Sequence, residues 1–203
     1  FRVEAEMVHD IALSASGLLS SKMYGPSVFP YQPDGIWDVP YSSEKWVQSK
    51  GEDQYRRSVY TFIRRSAPYP SLITFDAPSR EFCPVRRVRT NTPLQALTAL
   101  NDPFFFAAAR AMAHRMWKEG GSTEAERAAY GFRLSVSRKP TQPELDGILK
   151  FYNQQLGHYQ QNLTEAYQTL AAKAGSEEHA PEMAAWTMVA NVLLNMDETI
   201  AKE

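Results

Sequence analysis

Proline decides what this chain can become. Eight of its thirteen prolines fall between Pro26 and Pro84. Each one locks φ and removes a backbone donor, so a regular helix or a central strand cannot run through that stretch. The aromatic residues between them, Phe29, Tyr31 and Trp37 among them, with Pro40 following, predict a loop packed onto the protein and not a free linker. Hydrophobic residues are 43% and aromatic residues 12% of the 203. That content buries a core and excludes global disorder. The middle is therefore loop-rich, the flanks are helical, and the expected fold is all-α. It is one helical domain over 1–203, with a loop-rich, proline- and aromatic-rich insertion at 24–90 packed across the helices.

The flanks carry helical signals. Over residues 2–20, Val3, Met7, Ile11, Ala15 and Leu18 recur at helical spacing, with Val8, Ala12 and Leu19 beside them and Leu13 opposite. Gly17 weakens the last turn. Arg2, Glu6 and Asp10 share another face, where Arg2 and Glu6 are placed for an i, i+4 ion pair. Residues 56–66 fit a strand or a short helix, and the short helix is preferred. Thr92 with Gln95, Thr123 with Glu126 and Thr141 with Glu144 each form a capping box. Asp102-Pro103 starts a further helix, ended by Gly120-Gly121. From Thr141 the apolar spacing predicts one helix of about 30 residues, ~45 Å long, with Gly157 as a bend and Gly175 as its stop. Pro181 opens a last helix with a stripe of Met183, Trp186, Val189, Ala190 and Leu193.

Charge is balanced overall, at −1, which argues against a nucleic-acid binder held by bulk charge. It is not balanced locally. Arg56, Arg57, Arg64, Arg65, Arg80, Arg86, Arg87 and Arg89 are eight of fourteen arginines, no lysine lies between residues 51 and 117, and the stretch 55–90 holds only two acids, Asp76 and Glu81. A solvated basic face mixes lysine with arginine. Arginine alone points to geometry, because its planar fork grips carboxylate, phosphate or sulfate through two parallel bonds and stacks on rings. Internal pairing with Glu4, Glu6, Asp10, Asp76 and Asp102 is the expected fate of most of the eight. The sharper reading is an anion or sugar site built from Arg57, Arg80, Arg86, Arg87, Asn91 and Gln95, with Asp76 as the candidate general base. Against it, Gln95 is explained by its capping box and Asp76 by the turn before Pro78.

Other chemistry is weakly signalled. Glu6 and Asp10 lie four apart, but Arg2 beside them favours ion pairing over a metal, and the four histidines lack ligand spacing. A single cysteine, Cys83, excludes an internal disulfide and a cysteine-type zinc site. Asn162-Leu163-Thr164 is a glycosylation sequon placed mid-helix and is set aside. No haem, dinucleotide or nucleotide motif is present, so no cofactor is expected in this chain. No run approaches the ~20 apolar residues that span a bilayer. The chain opens at Phe1 within a helical pattern, which reads as a fragment of something longer.

Three segments carry a family resemblance. They are the run from Tyr55-Arg56-Arg57-Ser58 to Phe62, the run Phe75-Asp76-Ala77-Pro78-Ser79-Arg80-Glu81, and the run from Arg86-Arg87 through Thr92-Pro93-Leu94-Gln95 to Asn101-Asp102-Pro103. With Arg2 to Asp10, Ser16-Gly17-Leu18-Leu19 and Pro26-Ser27-Val28, the chain resembles the C-terminal domain of unknown function in planctomycete-type cytochrome C domain proteins. The resemblance implies an exported, extracytoplasmic protein with an upstream c-type haem module and a second upstream domain as partners. It also implies a role around polysaccharide breakdown and electron transfer. Tyr24 stands where the family's Gly-Gly-Pro turn has its first glycine, and Thr199 where an aromatic residue follows Glu198. Two functions remain open: a domain that binds or acts on anionic or hydroxylated glycans, and a scaffold that packs against the upstream domains. The open start at Phe1 and the apolar Leu13 off the main stripe favour lost contacts, and hence the scaffold.

Overall fold

A segment apolar on every side has to sit inside the protein, and the stretch after Pro181 is such a segment. The computed structural model describes residues 1–38 and 45–202; Pro40 lies outside the described residues. Nine α-helices occur among the described residues: α1 (Ala5–Ser16), α2 (Pro70–Thr74), α3 (Pro93–Asn101), α4 (Pro103–Glu119), α5 (Glu124–Val136), α6 (Gln142–Gln161), α7 (Leu163–Leu170), α8 (Ala180–Leu194) and α9 (Asp197–Ile200). There is no sheet among them, only isolated bridges. The all-α expectation is met.

α8 is the hub. It packs against α4, α6 and α7, and Met183, Ala184, Ala185, Trp186, Val189, Ala190 and Leu193 are all buried. α4 brings its own small residues, with Ala108, Ala109 and Ala113 fully buried beside Met112 and Met116. Short side chains on both helices allow close approach of the backbones. Trp186 stacks on Tyr152 of α6 at 4.2 Å between ring centroids. No helix of the described residues is long and apolar enough to cross a membrane.

The helix starts fall where the caps placed them. Thr92 accepts from the Gln95 N–H at 3.4 Å, Thr123 accepts from the Glu126 N–H at 3.2 Å, and the Glu144 carboxylate accepts from the Thr141 N–H at 2.7 Å. Asp102 accepts from the Phe104 N–H at 2.8 Å and opens α4. The long helix from Thr141 is two helices. The break falls at Asn162 (φ −129°, ψ 64°) and not at Gly157, and the Asn162 amide donates to the His158 carbonyl at 2.9 Å. A short amide side chain competes for backbone carbonyls and unseats the helix. α7 then stops at Leu170 with Ala171 in the left-handed region, and Gly175 sits in the turn beyond.

Two further readings are corrected. α1 spans Ala5–Ser16 only, with Gly17 (φ 77°) as its left-handed cap. Its buried face is Ala5, Val8, His9, Ala12, Leu13, Ala15 and Ser16, so Leu13 is core and Met7 is half exposed. Arg2 precedes the helix and leaves Glu6, bonding instead to Gln95 at 3.0 Å and Asp197 at 3.3 Å. Residues 56–66 form one 3-10 turn, Ser58–Tyr60, and no α-helix. Their backbone is taken by the preceding loop: the Val28 N–H donates to the Tyr60 carbonyl and the Phe62 N–H to the Val28 carbonyl, both at 2.8 Å.

The insertion is held by its rings. Phe29 stacks on Phe62 at 5.2 Å, Trp37 meets Trp46 edge-on at 5.3 Å, and Trp46 stacks on Tyr69 at 5.8 Å. Tyr69 in turn abuts His9 of α1. His9 is buried between Phe104, stacked at 4.4 Å, and Phe105. The chain ends meet: the Val3 N–H donates to the Ile200 carbonyl at 2.9 Å and the Lys202 N–H to the Phe1 carbonyl at 2.7 Å. Thr199 is buried there and donates to the Leu193 carbonyl at 2.7 Å.

Candidate functional site

The loop between α2 and α3 carries most of the sequence signal, and a small polar knot fixes its two ends. Asp76 follows α2 with φ 66°, a conformation that an Asp tolerates better than most residues. Its Oδ2 accepts from the Thr90 N–H at 2.7 Å, the Thr90 hydroxyl at 2.8 Å and the Gln95 amide at 3.1 Å. Gln95 is 1% exposed. Its Nε2 also donates to the Thr74 carbonyl at 3.0 Å, and its Oε1 accepts from Arg2. Buried polar atoms are expensive unless paired, and these are paired. Asp76, the candidate base, is thereby engaged with three donors, and Gln95 does more than close its capping box.

Between those pinned ends the loop projects. Phe82, Val85, Arg86 and Val88 are exposed, and Arg80 holds φ 67°. Arg87 turns back onto the start of α1, where its Nη1 donates to Glu4 at 2.9 Å and Glu6 at 2.8 Å. The Glu6 hydrogen bond, with both carboxylates near, holds its pKa above the usual arginine value. Arg89 donates to the Arg2 carbonyl at 2.7 Å.

The eight arginines divide by partner. Arg56 is 3% exposed, lies 3.8 Å over the Tyr60 ring and donates to the Pro26 carbonyl at 3.2 Å and to the Tyr24 carbonyl. Arg57 pairs with Asp10 at 3.3 Å. Arg64 covers the Trp37 ring at 4.9 Å. Among the described residues no carboxylate, carbonyl or ring takes Arg65, Arg80 or Arg86. Those three line one open groove of about 640 Å³ with Arg87, Glu4, Glu81, Phe82 and Cys83.

The structure thus gathers Arg80, Arg86 and Arg87 of the sequence-predicted set. It places Asp76 and Gln95 in the knot behind the loop, Asn91 exposed beside it, and Arg57 on a separate groove along α1 with Met7, Ile11, Leu19 and Met23. Arg65 was missed. Nothing in the doublet Arg64-Arg65 tells which member meets a ring and which faces solvent, because adjacent residues outside a helix point to different sides. Three unpaired guanidiniums can chelate carboxylate, sulfate or phosphate oxygens. The exposed Cys83 is the groove's one thiol. Among the described residues no group of three or more His, Cys, Asp or Glu side chains could hold a metal ion.

One other polar pair is buried outright. His9 Nε2 lies 2.7 Å from the Ser71 hydroxyl. Complete burial lowers the His9 pKa to about 3, so the imidazole is neutral in the fold. The same burial pushes the Tyr69 phenol far above its usual range, and Asp102 is raised by desolvation.

These features define an all-α domain whose arginine-bearing loop is braced from behind by a buried polar knot. Residues 1–152 match the family model for PSD1, described as a protein of unknown function (DUF1553), and the chain belongs to that family. Neither the curated proteins nor the solved structures give a match to it.

Proposed function

We propose that this domain is a recognition module for an anionic ligand, with carboxylated or sulfated glycans as the ligand class. One observation carries the reading: Arg65, Arg80 and Arg86 have no internal acceptor among the described residues and line a single open groove. Arg87, neutralised by Glu4 and Glu6, sets the position of the loop and adds little charge. Phe82, exposed on the same groove, offers a ring to the apolar face of a sugar. The family resemblance adds an extracytoplasmic setting, association with a c-type cytochrome module and upstream domains of the same polypeptide. Calorimetric titration with a sulfated oligosaccharide tests the reading. Binding should weaken at least about tenfold in Arg80→Ala/Arg86→Ala, ~1.4 kcal/mol or more, and fall with added salt. Equal affinity of the double variant and the wild type would sink it.

A second reading has its own observation. Met7, Ile11, Leu19 and Met23 line an open, largely apolar groove of about 560 Å³ along α1. Met7 and Ile11 are the outward part of the apolar stripe seen in the sequence, and the groove suits a scaffold packing against upstream domains. Met7→Glu/Ile11→Glu should leave the isolated domain folded while exposing the full-length protein to proteolysis between domains. An unchanged digestion pattern would count against the scaffold.

A further inference from the structure

A different concavity lies where α5, α6 and α8 meet. Phe132, Ile148, Phe151, Val189 and Leu193 line about 220 Å³ of space, with Glu144 as its one polar lining residue. A cavity of ~150 Å³ with such walls is large enough for benzene. Gly147, inside α6, forms part of the wall. A helix-interior glycine destabilises relative to alanine, and a Cβ at this position would meet nothing within 4 Å. Packing therefore does not require the glycine; what it does is keep the wall recessed.

The mouth carries one carboxylate, Glu144. Arg138 is gripped by Glu144 at 2.6 Å and Glu198 at 2.6 Å, and Lys202 donates to the Glu198 carbonyl at 3.2 Å, so the charges beside the mouth are paired and the one charged group on the lining itself is the Glu144 carboxylate. Those bonds hold Glu144 ionised, with its pKa lowered to about 2. Glu144 Oε2 accepts from Arg138 and from both Thr141 donors, whereas Oε1 accepts only from Arg138 among the described bonds. One acceptor site on Oε1 is left for a donor arriving from the pocket.

We infer that this pocket binds a neutral aromatic molecule carrying one hydrogen-bond donor, of the phenol or indole class, with its ring against Phe132, Ile148 and Val189 and its donor toward Glu144. An ionised carboxylate ligand of the same size has no donor to offer Glu144 and meets its like charge. The inference is independent of the arginine groove. Methyl NMR on the intact chain, following Ile148, Val189 and Leu193 during titration with indole, phenol and benzoate, tests it. Saturable shifts are expected for indole and phenol at about millimolar affinity, with benzoate at least about tenfold weaker. Gly147→Leu should abolish the shifts and Gly147→Ala should weaken them severalfold, both with an unchanged helical circular dichroism spectrum. The absence of saturation with either neutral ligand would overturn the inference. So would equal binding of benzoate, undiminished binding in both glycine variants, or shifts that follow protein concentration because a second copy fills the pocket.

Discussion

Lowering the pH should unfold this protein through one residue first. His9 is neutral in the fold because burial lowers its pKa from 6.5 to about 3. The unfolded chain has no such restraint and takes a proton below pH 6.5. Between the two values the unfolded state binds one more proton than the native state, so stability falls as pH falls, by up to ~1.4 kcal/mol per unit. From neutral pH down to about pH 5 the loss comes to roughly 2 kcal/mol. That window lies above the range where Glu119, Glu126, Glu144 and Glu198, all held below their usual values by hydrogen bonds, begin to protonate. Urea melts of wild type and His9→Gln at both ends of the window separate the effect. Gln keeps a partner for the Ser71 hydroxyl but cannot titrate. The variant should be less stable at neutral pH, having lost the stacking on Phe104, yet nearly flat across the window. Parallel pH slopes for the two proteins would refute the neutral, desolvated imidazole.

Other perturbations follow from the same geometry. Tyr24, exposed and at φ 62° ahead of Gly25 at φ 88°, holds a left-handed conformation that costs a side chain about 1–2 kcal/mol. Tyr24→Gly should therefore raise stability by about 1 kcal/mol in thermal or urea melts. Gln95→Ala strands the Thr74 carbonyl and loosens Asp76 and Thr90, at a cost of roughly 2–3 kcal/mol, with faster hydrogen exchange at the Thr90 amide. Trp186→Ala empties the centre of the α8 packing and should cost about 3–5 kcal/mol by denaturant titration.

The parts legible in the sequence were those decided locally. A Thr with Gln or Glu three residues on satisfies its own orphan donors, so Thr92, Thr123 and Thr141 announced α3, α5 and α6 without help from the rest of the fold. Proline density likewise announced the irregular insertion. The parts that failed were decided by distant partners. The stripe through Met7 and Ile11 is genuine helical spacing, but the core lies on the Val8–Ala12 side because α4 packs there. Asn162 breaks the long helix by bonding back to His158. Gly157, the bend the sequence predicts, stays inside α6, and a Cβ there would meet nothing within 4 Å. The arginine excess was visible, but its partition was not. Arg56 and Arg87 are absorbed by a carbonyl pair and by two glutamates far away in sequence, and Arg65 emerges as one of the unpaired three. Tyr24, where the resemblance implies a glycine, holds φ 62° beside Gly25 at φ 88°, two positions whose backbone favours glycine.

Arginine-selective labelling with phenylglyoxal, read residue by residue by mass spectrometry, probes the groove directly. Arg65, Arg80 and Arg86 should modify fastest, Arg56 and Arg87 slowest, and a sulfated oligosaccharide should protect the fast three together. Uniform reactivity across the eight, or protection that falls on Arg57 or Arg64 instead, would contradict a shared anion-binding groove.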